Sequence, residues 1–476
     1  MKYSRLVRRQ RRAARAALYG SLAAILLLFT LVVTLVLPAL KPRIDQSWSE
    51  IDFSRLPEVE LLQEYTRIDT SSDTGSEFEG ASFLAARLGA AGIPAHIERL
   101  GERGANLWAI LEGEDPRALV LHHHIDVFPV RHPELWDYPP FDAVIDPPHI
   151  YGRGVFDMKS VAAAQLHALL ELRRSGVRPK RSVIFLATGS EEAGSELGSR
   201  WILRQHPELV ERIWAVLTEG GVVEPIRREE IKFWGIEYAQ KRFANVIVCS
   251  DRRQRLETLR SDLAEWRDSN LELALTPEVD RFLQLYAATR QHQVFRRLLT
   301  DAWQTVHDPT EFRRLPAYLR SMFRNEIVAF PIEEDPLEGY RLRLIFHLLP
   351  GADFEQVRAR LLPEWMTHGL SLSFEAPLGT AQASPLEHPV FRTLQSALEE
   401  AHPSARVGPY FLPWSATDSR FFRAAGIPSY GFSPFLIFAT DTYRADTSNE
   451  RIGLPGFVEG VRLYGEVLRR LVADNR

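Results

Sequence analysis

The 476-residue sequence holds one cysteine, Cys249, and four methionines. A single thiol excludes an intramolecular disulfide and any zinc site built on cysteine. Neither sign of charge is in excess. The 58 Lys and Arg against 62 Asp and Glu give a formal net charge of −4, with no electrostatic footing for nucleic acid. No internal repeat is present, and 28 Gly with 30 Pro exclude collagen-like or low-complexity chains. What remains is ordinary globular usage, 45% hydrophobic and 25% charged. The length exceeds the roughly 250–300 residues at which a single core stops growing, which implies at least two domains.

Acid is missing from residues 1–15, which carry Lys2, Arg5, Arg8, Arg9, Arg11, Arg12 and Arg15. Charge of either sign is missing from residues 16–40. About 20 apolar residues span a bilayer as a helix, and this run is long enough to do so. A cleaved signal peptide is the rival reading, but its apolar region is about 7–15 residues and ends in a small-x-small site. The exit LPALKPR shows no such site. The sequence therefore predicts a single-pass anchor at 16–40 behind a basic cytoplasmic segment, 1–15. A linker follows at 41–54, and the rest of the chain would be extracytoplasmic, periplasmic or equivalent.

Between 55 and 235, strand and helix signals alternate. Helical spacing covers 56–69, 78–91 and 161–174, and short apolar runs lie at 107–111, 118–121, 183–188 and 213–218. That alternation implies an α/β domain, a mainly parallel sheet with helices on both faces. Near residue 243 the texture changes to Arg-, Leu- and Glu-rich helical spacing, then strand signals at 340–348 and 370–374. From about 385 the α/β pattern returns. The reading is a first α/β part at 55–235, an inserted α+β domain at 236–380, and a second α/β part at 381–476.

Four polar clusters stand where four apolar runs stop or a helix begins. They are His122-His123-His124-Ile125-Asp126, Gly152-Arg153-Gly154-Val155-Phe156-Asp157, Ser190-Glu191-Glu192 and Thr218-Glu219-Gly220-Gly221. Taken singly, each is a polar strand end or a solvated turn, and His122 and His123 are read that way. Taken together, they put imidazole and carboxylates at the carboxyl ends of parallel strands, where open α/β sheets bind ligands. Such a set suits divalent metal, two ions if a carboxylate bridges them.

These segments, with Thr417-Asp418-Ser419-Arg420, the stretch 426–434 and Asn449-Glu450-Arg451-Ile452, resemble the aminoacylase/carboxypeptidase S family of co-catalytic metallopeptidases. The likeness is closest to the branch with fatty-acyl amino acid hydrolases. The resemblance implies two divalent ions, zinc first, with manganese or cobalt as alternatives. Asp157 would bridge them, His124 and Glu219 would complete one site, and Glu192 with a C-terminal residue the other. Glu191 would be the general base and Asp126 would orient His124. Arg420 would contact a small peptide or N-acyl amino acid substrate. The inserted domain would be a lid of the kind that forms homodimers.

Three departures from the family pattern stand out. The last metal ligand, usually histidine, is Asp446, with Asp441 a nearby alternative. An all-carboxylate second site leans toward Mn²⁺ or Mg²⁺. The Gly-His-Ser-type turn of the lid is replaced by Cys249-Ser250-Asp251, and His347 stands where the family has Arg. Two functions follow from these features. One is a membrane-anchored amidohydrolase or carboxypeptidase, and the other a metal- or ligand-binding pseudoenzyme of the same fold.

Overall fold

The computed structural model describes residues 51–473, apart from 228–229, 270–271, 291, 375–378, 381, 438 and 443. The apolar run 16–40 lies outside the described residues. Among the described residues no helix is long and apolar enough to cross a membrane. That finding corrects the expectation of a single-pass, extracytoplasmic protein, which is withdrawn.

The larger sheet is built on two strands buried almost throughout. The run β1 (Ala95–Leu100), β2 (Gly104–Leu111) and β3 (Asp115–His124) opens it. A small antiparallel pair, β4 (Val144–Asp146) and β5 (His149–Tyr151), interrupts before β6 (Arg181–Thr188) and β7 (Ile213–Thr218). The last seven residues of β3 and all of β6 are buried. Continuous burial of this kind is what a central parallel strand covered on both faces demands. Next come β8 (Val222–Arg227) and β9 (Glu230–Gln240), which pair antiparallel.

β10 (Arg242–Ser250), β11 (Glu326–Asp335), β12 (Gly339–Leu348) and β13 (Ser371–Phe374) form a separate four-stranded sheet in the order β11-β12-β10-β13. The chain then returns to the large sheet through β14 (Arg406–Leu412) and β15 (Ser429–Gly431). The large sheet runs β1-β2-β6-β3-β7-β15-β9-β14, with β8 on β9. Its centre, β6-β3-β7-β15, is parallel, while β1 and β2 pair antiparallel at one side. β16 (Arg451–Gly453) pairs with β5 and so lays the C-terminal segment beside the Gly152–Asp157 loop.

The four-stranded sheet has its own core. Val246, Val248, Leu342, Leu344 and Phe346 pack with Leu256, Leu259 and Leu263 of the helix Arg253–Ser269, and with Phe354, Val357 and Leu361 of the helix Phe354–Leu361. The helix Pro277–Ala288, although inside the stretch 236–380, packs on β14 of the large sheet. Its Phe282 meets Phe233 and Tyr410 edge-on at 5.7 and 5.5 Å.

The helix Lys159–Arg174 starts two residues after Asp157 and packs against the last helix, Leu454–Ala473. Lys159 is fully buried and donates to the carbonyls of Tyr65 at 3.2 Å and Ile68 at 2.6 Å. Those bonds fix the start of the helix, and hence the loop before it, on the helix Pro57–Thr66.

Candidate metal centre

Three parallel strands end at one edge of the large sheet, and each end delivers side chains to it. β3 ends at His124, the turn after β6 carries Glu191 and Glu192, and β7 passes into Glu219. Asp157 arrives from the loop before the helix Lys159–Arg174. Gly154 in that loop has φ +77, and a Cβ there would lie 2.2 Å from Val127 Cγ1, so only glycine fits the close approach. The Asp157–Met158 peptide is cis.

The donor atoms converge in two groups that share Asp157. One potential ligand atom each from His124, Asp157 and Glu219 lies within 4.8 Å of the others, and the same holds for Asp157, Glu192 and Asp446. His124 Nε2 is 3.1 Å from Asp157 Oδ1 and 3.9 Å from Glu219 Oε1. Its Nδ1 is 2.8 Å from the Asp126 carbonyl oxygen. A carbonyl can only accept, so Nδ1 carries the proton and Nε2 is left to face the carboxylates.

That contact differs from the expected one. The Asp126 carboxylate stands 3.6 Å from Nδ1 and accepts instead from the backbone N–H groups of Glu191 and Glu192, both at 3.0 Å. Asp126 thus uses its backbone to set the His124 tautomer and its side chain to hold the Glu191–Glu192 turn. Asp446 does face Glu192 and Asp157, whereas Asp441 does not. Asp441 pairs with Arg451 at 2.8 Å and His149 at 3.5 Å.

Burial and crowding of like charge perturb the whole cluster. Burial, then the Asp157 and Asp446 carboxylates, holds Glu192 well above its ordinary range. Burial and Asp157 do the same to Glu219. Asp446 is pushed up to about 8 by burial, Asp157 and Glu450. Burial opposes the charged form of His124, but the hydrogen bond to Asp157 and the carboxylates around it raise it well above the usual range. A cation reverses this balance, since it favours ionised carboxylates and neutral imidazole. Asp446 Oδ1 is a buried atom without a hydrogen-bond partner, which fits a site meant for an ion.

Glu191 sits beside the cluster. Burial and the nearby Asp418 raise it to about 8, against the opposing influence of His124 and Arg420. Arg420 Nη1 is 3.7 Å from Glu191 Oε1, and the buried Arg420 Nε has no partner. His122 and His123 are core groups. His122 bridges Thr188 of β6 and Thr218 of β7 at 3.0 and 2.9 Å, and His123 bonds Gln165 at 3.0 Å. His347 stacks on Phe243 in the four-stranded sheet with a centroid distance of 4.3 Å. Burial lowers it to about 4, so it is neutral at pH 7 and does not carry the charge of an arginine.

Residue-by-residue reading of the sequence missed two supports. Glu450 is fully buried and accepts from Arg153 Nη1 at 2.6 Å and from the backbone N–H groups of Gly154, Phe156 and Asp157 at 3.1, 2.9 and 3.1 Å. Asp418 accepts from the hydroxyls of Ser195 and of Ser199, the latter at 2.6 Å, pinning the far side of the Glu191 turn. Both residues stand in segments that carry the family resemblance, and nothing local marks either as a support.

Comparison with known proteins agrees with this construction. Residues 120–470 match Peptidase family M20/M25/M40. The chain is 24% identical over 438 residues to aminoacylase-1A of Rattus norvegicus, covering 88% of this chain and 96% of that protein. Among solved structures, an M20 family metallo-carboxypeptidase from Sulfolobus solfataricus is similar in fold, with a TM-score of 0.66 at 18% identity over 87% of this chain and 99% of that one. Human carnosine dipeptidase 1 gives 0.64 at 16% identity over 87% and 96%. The chain belongs to Peptidase family M20/M25/M40 and is a hydrolase of the aminoacylase and carboxypeptidase type.

Proposed function

We propose that the protein hydrolyses the amide bond of an N-acyl amino acid or small peptide, with two divalent ions held around Asp157. The observation that carries the reading is the pair of donor groups sharing that one carboxylate. One ion would be held by His124, Asp157 and Glu219 and the other by Asp157, Glu192 and Asp446. Together they would polarise the scissile carbonyl and lower the pKa of the attacking water.

Glu191 takes the proton of that water and returns it to the leaving nitrogen. Glu191 belongs to neither donor group, which leaves its carboxylate for both transfers. Asp126 holds Glu191 and Glu192 in place through their backbone N–H groups. Arg420, buried with an unpartnered Nε, is the cation that meets the substrate carboxylate. The unit built on the four-stranded sheet is the lid, and its edge strands β11 and β13 support pairing between two copies, which light scattering tests.

The decisive experiment is hydrolysis of a panel of N-acyl amino acids and dipeptides by the full chain, before and after metal depletion. Cleavage that disappears with chelation and returns with added metal supports the reading. A protein that binds metal but cleaves no member of the panel would favour the pseudoenzyme, the reading suggested by the altered lid and Asp446.

A further inference from the structure

The two donor groups differ in chemistry as well as in place. The His124 group contributes one imidazole nitrogen and two carboxylates, and the Asp446 group contributes carboxylate oxygen alone. Among the described residues, three neighbouring imidazoles are engaged elsewhere. His122 is bonded between Thr188 and Thr218, His123 to Gln165, and His149 is held at Asp441. Asp446 is also fixed in its pose. It has φ +57, and its carbonyl accepts from Arg153 Nη2 at 3.2 Å. Arg153 Nη1, the atom bonded to Glu450, stands 4.0 Å from Asp446 Oδ1. These contacts fix the backbone at residue 446, which leaves its carboxylate within reach of Asp157 and Glu192.

Zinc is a borderline ion that gains from imidazole, while oxygen-only sites suit Mn²⁺ and Mg²⁺. Intrinsic affinity favours Zn²⁺ over Mn²⁺ at both sites, but the margin shrinks where nitrogen is absent. We propose that this protein is a mixed-metal centre, with zinc at the His124 group and a hard divalent cation, manganese or magnesium, at the Asp446 group. The proposal rests on the two-ion reading above and adds to it the identity of each ion.

The test uses the full chain, stripped with chelator and dialysed against about two equivalents of Zn²⁺ with about a hundredfold excess of Mn²⁺. Bound metals are counted by mass spectrometry, and manganese is followed by electron paramagnetic resonance. The expected result is about one zinc and one manganese per chain, with Asp446→His shifting to about two zinc and losing its manganese. A parallel arm with Mg²⁺ in place of Mn²⁺ decides which hard ion is held.

Two zinc ions in the unaltered protein would overturn the mixed-metal proposal and leave the two-ion reading standing. Manganese retention unchanged by Asp446→His would overturn it as well. No bound metal of any kind would overturn both readings. If Asp446→His does not fold, Asp446→Asn serves instead. It should keep the zinc and release at least about tenfold more manganese at the same free concentration, and unchanged retention counts against the proposal.

Discussion

Glu450 and Arg153 lie 297 residues apart in sequence and meet at 2.6 Å as a buried ion pair. The pair is the joint between the two segments that bring Asp157 and Asp446 together. Glu450 also takes the Asp157 backbone N–H, and Arg153 donates to the Asp446 carbonyl, so the one ion pair touches the backbone of both residues.

Replacing Glu450 with Ala leaves the Arg153 guanidinium buried and three backbone N–H groups without an acceptor. Breaking a buried pair from one side costs about 3–5 kcal/mol. Urea unfolding of Glu450→Ala should show a loss of that order, with metal released from both donor groups. A loss under about 0.5 kcal/mol, the range of neutral surface changes, would contradict the role assigned to Glu450.

Glu191→Gln keeps the shape of the proposed base and removes its proton-accepting function. The turnover number should fall by about 10²–10⁴. Metal content should stay unchanged, because Glu191 belongs to neither donor group. Loss of metal in this variant would show that Glu191 acts as a ligand.

Chelation should lower stability as well as activity. Without a cation, Asp157, Glu192 and Asp446 repel one another in a buried site. Ion present at about a thousand times its dissociation constant should add roughly 4 kcal/mol per site. Thermal unfolding with and without added metal reads this directly, and equal midpoints would exclude tight binding to the folded state.

Acid should destabilise the four-stranded sheet through His347. Its pKa is about 4 when folded, held down first by burial and then by Lys241, against 6.5 for the free side chain. Between pH 6.5 and 4 the unfolded chain therefore binds more protons than the folded one, so stability falls as pH falls. The slope for one such group approaches 1.4 kcal/mol per pH unit. His347→Phe, which keeps an aromatic ring against Phe243, should narrow the stability difference between pH 7 and pH 5. An unchanged difference would clear His347 of the effect.

Much of the large sheet was legible because its strands obey local rules. The runs at 183–188 and 213–218 are short, apolar and followed by polar residues, and they appear as β6 and β7. The helix at 161–174 is marked by its apolar spacing, and it lies within Lys159–Arg174. His124, Asp157, Glu192 and Glu219 stood out for the same reason, since each follows a recognisable strand or precedes a helix, whereas Asp446 was named through the family resemblance alone.

What the sequence concealed depends on distant pairing. The resemblance assigns Asp126 to His124, but its carboxylate is claimed by the N–H groups of a turn 65 and 66 residues away. Glu450 carries no local signal of its four bonds, which form only when β16 docks on β5. The helix Pro277–Ala288 has an amphipathic pattern that shows it is covered, and the pattern does not reveal that its cover is β14. The basic flank and apolar run at 1–40 read as an anchor, yet no described helix can cross a membrane.

The central claim is that Asp157 bridges two ions. It is tested most directly by a crystal structure of the metal-loaded full chain with anomalous scattering recorded at the zinc and manganese edges. The account predicts two peaks about 3.5–4 Å apart flanking Asp157, one beside His124 and Glu219 and the other beside Glu192 and Asp446. A single peak remote from Asp157, or none in crystals grown with saturating metal, would contradict it.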